Sequence, residues 1–397
     1  MTVHVPNGYR MAGGHYGIKN NPKMEDLALI VSDVPAVAAG VYTTNLVKAA
    51  PVVLDQSRTP SDDVRAVVAN SGNANACTGE RGVDDAAEMA RAAAASCGAA
   101  PGNALVLSTG IIGEFLPMEK IKSGINDLST RLGNDDASLV AAARGLMTTD
   151  TVHKIAFRTL AFSGENIQIT GMAKGAAMIG PNMATMLGLI MTDASIDKED
   201  AQKLLRTSVE DSFNCISVDG HTSTNDTVLL LANGAAGQKR LSGAELSAFG
   251  GMLDNICQEL AMAIPADGEG ATHLIVIEIT GAKDKESARK IAKTVADSPL
   301  VKTAIAGADP NWGRIVSAVG YAGVPLEPSG ISLVLNGISI YEKGSPVEFD
   351  AQVASDLIRD NRETVVQIKL SEGDAAARFW TSDLTAEYVR LNADYHT

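Results

Sequence analysis

Residues 174–193 read K-G-A-A-M-I-G-P-N-M-A-T-M-L-G-L-I-M-T-D. Nearly every residue is apolar or small, yet Lys174, Asn182 and Thr185 stand in a run that should otherwise be buried. Positions 185–192 are long enough for a buried strand, and Pro181-Asn182 supplies the turn that breaks any helix before it. A threonine opening a buried strand after the small Ala184 has its hydroxyl beside its own peptide bond. A strained turn there would let the hydroxyl attack the Ala184 carbonyl and shift the acyl group from nitrogen to oxygen, leaving an ester for water to cut. Cleavage between Ala184 and Thr185 would free an α-amino group of pKa about 7.7–8.0, near enough to neutrality to act as base for the same hydroxyl. The same residues also fit a plain strand cap, in which Thr185 has no chemistry.

Around this stretch, the composition narrows the function classes. A chain of 397 residues points to two or three domains, or to one intertwined α/β unit. Hydrophobic residues make up 45% and mean hydropathy is +0.06, while no apolar run reaches the roughly 18 residues of a membrane span. Thirty-three basic residues against 47 acidic ones give a net charge of −14, which argues against nucleic acid and requires a locally positive pocket for any anionic substrate. Cys77, Cys97, Cys215 and Cys257 lack metal or redox spacing and read as buried small hydrophobes of a reducing compartment. The six histidines are dispersed, so no metal site is expected. The opening M-T-V-H-V-P-N-G-Y lacks a secretory pattern, and a cytoplasmic location is expected.

Strand-like runs at 27–31, 36–42, 50–54 and 64–69 precede the first convincing helix, the alanine-rich 85–97. A strand at 104–108, helices at 118–132 and 135–146, and a hairpin of strands 155–162 and 165–170 around Gly164 lead to Lys174. Beyond Thr185, helices are expected at 197–212, after a Ser242/Glu245 capping box, at 284–296 and at 351–359. Strands are expected at 273–279, 300–306, 331–340, 364–370 and 376–380, with a helix opening near Pro310.

Four polar segments interrupt these elements. The asparagine-rich N-S-G-N-A-N-A-C-T-G (70–79) suits an ordered turn. In T-G-I-I-G (109–113), glycine after a strand leaves a backbone amide open to a ligand and Thr109 adds a hydroxyl, a pair that suits either an oxyanion or a simple turn. In S-V-D-G-H-T-S-T-N-D-T (217–227), Asp219 and Asp226 lack the six oxygen ligands of a cation site, and the segment reads as a hydrated loop. D-G-E-G-A-T (267–272) places Glu269 between two glycines, accessible on a freely turning backbone.

The P-N-M-A-T-M-L core, S-T-G at 108–110, G-E-G-A-T and the terminal E-Y-V-R-L-N-A-D-Y-H-T together resemble the ornithine acetyltransferase (glutamate N-acetyltransferase) family over about residues 8–397. The resemblance implies an α/β self-processing sandwich of the αββα, amino-terminal-nucleophile-like kind. It implies a cut giving an α chain, 1–184, and a β chain, 185–397, that begins at the nucleophile Thr185. It places an oxyanion hole at Thr109 and Gly110, and substrate contacts at Thr151, Lys174, Thr185, Glu269, Asn392 and Thr397. Thr151 is preferred to Thr149. The implied reaction is double displacement in arginine biosynthesis: N-acetylornithine acetylates Thr185, ornithine leaves, and glutamate takes the acetyl group. No metal or cofactor is implied. Acetyl-CoA stays open as a second donor, and a heterotetramer of two α and two β chains is expected.

Two other classes fit parts of the pattern. A related self-processed peptidase would pass its acyl group to water, and a non-catalytic binding module would leave the chain intact.

Overall fold

The computed structural model describes residues 5–162, 165–180, 186–237 and 239–394. Ala184, Thr185 and Thr397 therefore lie outside the described residues, as does the expected hairpin turn at Gly164.

The chain opens with strands β1 (Tyr9–Gly14) and β2 (Leu27–Tyr42). The two runs expected at 27–31 and 36–42 are one strand, whose register shifts between Val31 and Ala36 let it cross Asp33–Pro35 without ending. Helix α1 (Ala50–Gln56) occupies the run expected as a strand. Pro51 sits in its first turn, and buried Asp55 accepts the Val106 N–H at 3.0 Å, so tertiary contact overrides the β-preference of Val52-Val53.

Next come β3 (Ser61–Asn73), α2 (Gly79–Ser96), β4 (Ala104–Ile111), α3 (Met118–Ser129), α4 (Asp136–Leu146), β5 (Lys154–Phe162) and β6 (Glu165–Lys174). Beyond the candidate cleavage point follow β7 (Leu187–Thr192), α5 (Lys198–Glu210), β8 (Ile216–Ser217), β9 (Thr227–Ala232), the 24-residue α6 (Gly243–Ala266) and β10 (Leu274–Ala282). Ser242 is the N-cap of α6, as expected, but its side chain makes no capping hydrogen bond.

The last part holds α7 (Lys285–Ala296), α8 (Pro299–Ala306), α9 (Trp312–Gly320), β11 (Ser332–Leu335), β12 (Ile338–Glu342), β13 (Ser345–Pro346), α10 (Ala351–Arg359), β14 (Glu363–Lys369), β15 (Ala375–Ser382) and α11 (Ala386–Asp394). Helix α8 replaces the strand expected at 300–306, because Ser298 caps it and Pro299 starts it. The strand expected at 331–340 is split by Asn336 and Gly337, both at positive φ, into the hairpin β11–β12. Trp312 stacks on Tyr341 with ring centroids 5.2 Å apart, which anchors α9 to the β11–β12 hairpin.

Two sheets make a mixed α/β sandwich. The first has the order β4-β3-β2-β9-β7-β6-β5, with β1 also on β2; the second has β13-β12-β11-β14-β10-β15-β8. Helix α6 runs from one sheet to the other, and Phe249, Leu253, Ile256, Cys257, Leu260 and Ile264 are buried along it in the core that both sheets share. In the first sheet, β7 and β9 run parallel in the centre, flanked by β6 and β2 in antiparallel pairing. Strands from either side of position 184 thus interleave in one hydrogen-bonded ladder. Cys215 and Cys257 are buried as expected and Cys97 is partly so, but Cys77 is exposed, on the loop after β3. Among the described residues no helix is long and apolar enough to cross a membrane, and no His, Cys, Asp and Glu cluster has the makings of a metal site.

Candidate active site

A cavity of about 340 Å³ opens where β3, β4 and β6 end, beside the 217–227 segment and α11. Thr109 and Gly110 reach it from the end of β4, which runs parallel to β3. Gly110 has φ +134°, and a Cβ there would overlap the backbone of Gly72 and Asn73, so only glycine lets the two strand ends meet. The asparagine-rich loop supports this floor. Ser108 donates to Asn70 Oδ1 at 2.6 Å, Asn70 donates to the Asn73 carbonyl at 2.9 Å, and Asn225 donates to the carbonyls of Ala74 and Ser108 at 2.7 and 2.8 Å. Amide side chains pair with backbone groups left free as the ladder ends.

Lys174, last residue of β6, is buried and lines the cavity. Its Nζ donates to the Thr109 hydroxyl oxygen at 3.2 Å. A lysine ammonium has no acceptor, so the Thr109 O–H stays available to donate elsewhere. Burial lowers the Lys174 pKa, with Asp150 working against it and Lys154 with it. Behind it, Asp150 accepts from Lys154 Nζ and from the Gly175 N–H, both at 2.7 Å. Burial pushes the Asp150 carboxyl up, but Lys174, Lys154 and these hydrogen bonds outweigh it and hold it down at about 2. Lys154 also meets Asp267 at 2.6 Å, so the buried charges form a connected, paired set.

Across the cavity stands Glu269. Its N–H donates to the Ala176 carbonyl at 2.9 Å, and its carboxylate accepts from Asn392 of α11 at 2.8 Å. Helix α11 has no buried residue of its own and leans on the G-E-G turn through polar bonds, among them Thr385 Oγ1 to the Gly270 carbonyl at 2.7 Å. Gly270 has φ +67°, and a Cβ would meet the backbone of Tyr388, which explains a glycine beneath the helix. Asp219 is the second tie to α11. It accepts from the N–H groups of Met178, Ile179 and His221 at 2.7, 2.9 and 3.1 Å, and from the Tyr388 hydroxyl at 3.2 Å.

This arrangement offers a hydroxyl donor, a buried cation and a carboxylate around one hollow. A model of the ArgJ family matches residues 10–397. The chain belongs to the ArgJ family. It is 46% identical over 400 aligned positions to the arginine biosynthesis bifunctional protein ArgJ of Rhodopirellula baltica, covering 100% of this chain and 97% of that one. The protein of the same name from Symbiobacterium thermophilum is 47% identical, covering 100% and 98%. A solved structure of the Bacillus halodurans ArgJ protein is 38% identical with a TM-score of 0.51, covering 52% of this chain and 98% of the solved one.

Among the residues expected at an ArgJ-family site, Thr109, Gly110, Lys174, Glu269 and Asn392 line one cavity. Thr151 does not: its hydroxyl and N–H both go to Asp267, while Thr148 and Thr149 line the cavity instead. The sequence shows three hydroxyl residues within 147–151, and only the turn that buries Asp150 decides which of them face inward. Thr185 and Thr397 lie outside the described residues. The 217–227 segment differs from the hydrated loop expected, for positions 223–227 are buried and Asp219 and Asp226 accept from backbone N–H groups. Asp219, which the sequence offers only as one oxygen of an incomplete cation site, also lines the cavity, as do His221 and Tyr388, which the sequence does not single out. The crowding of polar residues beside the strand at 227–232 was a signal for them, since such a run is either solvated or hydrogen-bonded inside.

Proposed function

We propose that this protein is a glutamate N-acetyltransferase of arginine biosynthesis, which cuts itself between Ala184 and Thr185 and then carries acetyl from N-acetylornithine to glutamate on the Thr185 hydroxyl. The observation that carries this reading is the Lys174–Thr109 hydrogen bond, which leaves the Thr109 O–H free to donate into the cavity. In the first half-reaction, Thr185 Oγ attacks the acetyl carbonyl while the freed α-amine accepts the hydroxyl proton. Thr109 O–H, with the Gly110 N–H, stabilises the oxyanion, and collapse expels the ornithine amine as the acetyl ester forms. Glutamate's amine then attacks the ester and regenerates Thr185. Glu269 provides the negative charge that ornithine's ammonium calls for, and Lys174 is the cation inside the cavity wall. Asn392 shares Glu269, so a ligand there meets both. Thr397 remains a substrate contact in this reading, whereas Thr151, turned to Asp267 away from the cavity lining, is not one.

The relatives' description as bifunctional supports acetyl-CoA as a second donor for the same ester, and the proposed chemistry calls for no resident cofactor or metal. The cut supports fragments 1–184 and 185–397, and the solved Bacillus halodurans chain, nearly all of it aligned, spans about half of this one. The interleaved first sheet would hold the fragments together, and we take the assembly to be two α and two β chains in the cytoplasm. Two bands on denaturing gels, with the larger beginning T-M-L-G-L, and an acetyl group trapped on Thr185 when N-acetylornithine is supplied without acceptor are the expected results. A single 41.2 kDa species would overturn the cut. Peptide hydrolysis in place of acetyl transfer would favour the peptidase chemistry.

A further inference from the structure

Under the transfer proposed above, one cavity serves two amino acids whose far ends differ in sign. N-acetylornithine brings a carboxylate and a terminal ammonium. Glutamate, whose amine must be neutral to attack, brings two carboxylates, and its side-chain oxygens stand the same number of bonds from Cα as the ornithine ammonium. Lys174 and Glu269 match the first substrate charge for charge. For the second, Lys174 can pair with one carboxylate, and Glu269 repels the other. Among the described residues that line the cavity, His221 is the one remaining side chain able to carry positive charge. The mechanism above leaves it unused.

The backbone holds His221 in place. Its N–H donates to Asp219 Oδ1 at 3.1 Å, and the Ile179 carbonyl accepts the N–H groups of Val218, Asp219 and Gly220 at 2.8, 3.1 and 3.0 Å. A Cβ at Gly180 would overlap the Gly220 carbonyl and the His221 nitrogen, so the two segments close on each other without a gap. The His221 ring is exposed and makes no hydrogen bond to the described residues, which leaves both ring nitrogens for a ligand. An imidazole changes charge between pH 5 and 8, donates an N–H in either state and, when neutral, also accepts. It can therefore hold a carboxylate without shutting out an ammonium, as a fixed cation would. The charged and titratable groups around it are Asp219, Glu269, Lys174 and Tyr388 in the cavity wall, and Asp297 beside Gly220, itself bonded to Lys293 and Ser217. We propose that His221 binds the side-chain carboxylate of the acceptor glutamate and so selects this amino acid as acceptor. This inference rests on the acetyl transfer to glutamate proposed above.

Steady-state transfer from N-acetylornithine tests this, with glutamate and glutamine compared as acceptors. In His221→Gln, kcat/KM for glutamate should fall about 10- to 100-fold, the loss of one charge-assisted hydrogen bond, while that for glutamine changes far less. The KM for N-acetylornithine should move less than the KM for glutamate. His221→Lys should keep glutamate as acceptor and weaken N-acetylornithine, because a fixed cation repels the ornithine ammonium. The ratio of wild-type to His221→Gln kcat/KM for glutamate should shrink as pH rises from about 6 to 8, since the ratio cancels the titration of the amines that both proteins share. Equal losses for glutamate and glutamine overturn the proposal, as does an unchanged kcat/KM for glutamate or a ratio that ignores pH. Both variants should melt with the wild type, since the ring is not hydrogen-bonded within the described fold. If the glutamine variant does not fold, the wild-type preference for glutamate over glutamine decides, and a preference that does not fall as pH rises overturns the proposal. A wild type that passes no acetyl to glutamate removes the transfer and this proposal together, whereas a transferring wild type beside a His221→Gln variant that prefers glutamate as strongly sinks only the role of His221.

Discussion

Lys174 Nζ lies 3.2 Å from the hydroxyl oxygen of Thr109, joining the end of β6 to the end of β4 across the three strands β3, β2 and β9 and the strand β7 that separate them in the sheet. The lysine fills one acceptor position of the hydroxyl and so orients its proton away from itself. Thr109→Ala should lower the acetylation rate by about 10² or more with little change in thermal stability, and Thr109→Ser should recover most of it. Single-turnover acetylation by N-acetylornithine checks this, and an unchanged rate in the alanine variant would return Thr109 to a turn.

The central strands β7 and β9 are paired on both flanks to strands from before position 184. Cut chains should therefore elute as one species in native size exclusion and part only when unfolded. Fragments that separate in native buffer would show that the ladders β6–β7 and β2–β9 do not survive the cut.

Tyr388 ties α11 to Asp219, which in turn fixes the backbone of 178–179. Tyr388→Phe removes one hydrogen bond and should cost about 1 kcal/mol. Because α11 is held by few other contacts, the loss should raise KM several-fold while kcat stays within about twofold, the sign of weakened uniform binding. A fall in kcat with KM unchanged would instead place Tyr388 in the chemistry.

Lys302 is buried on α8, donating to the Val218 carbonyl at 2.6 Å and to Thr381 Oγ1 at 3.0 Å. Burial lowers its pKa from 10.5 to about 8, although Asp297, Asp219 and Asp383 oppose the shift. The unfolded chain then binds this proton more tightly than the folded one, so the folded state gains as pH rises from about 8 towards 10.5 and loses that gain as pH falls back. The stability of wild type relative to Lys302→Met should increase over that window by at most about 3 kcal/mol. Urea unfolding of both proteins at several pH values measures it, and a constant difference would mean that Lys302 keeps its ordinary pKa.

Much of this molecule is legible in its residues. The apolar run after Pro181, the continuous apolar runs of β2 and β3 and the one-faced pattern of α6 follow from burial and period, which a sequence displays directly. Short apolar runs were not legible in this way. Positions 50–54 and 300–306 have the composition of strands, and a proline in the first turn of each, with Ser298 as a cap, turns them into helices. The site divides along the same line. G-E-G-A-T and S-T-G point to Glu269, Thr109 and Gly110 through their resemblance to the family's motifs, since the bare patterns suit turns equally well. That Lys174 meets Thr109, that Thr151 turns to Asp267, and that Asp226 is buried against Met186 depend on partners tens of residues away in the chain. Sequence determined which groups exist and where the backbone is free to bend. Only the tertiary structure decided which polar groups share a dry interior, because hydrogen bonding and pKa depend on the partners and solvent that folding brings or removes.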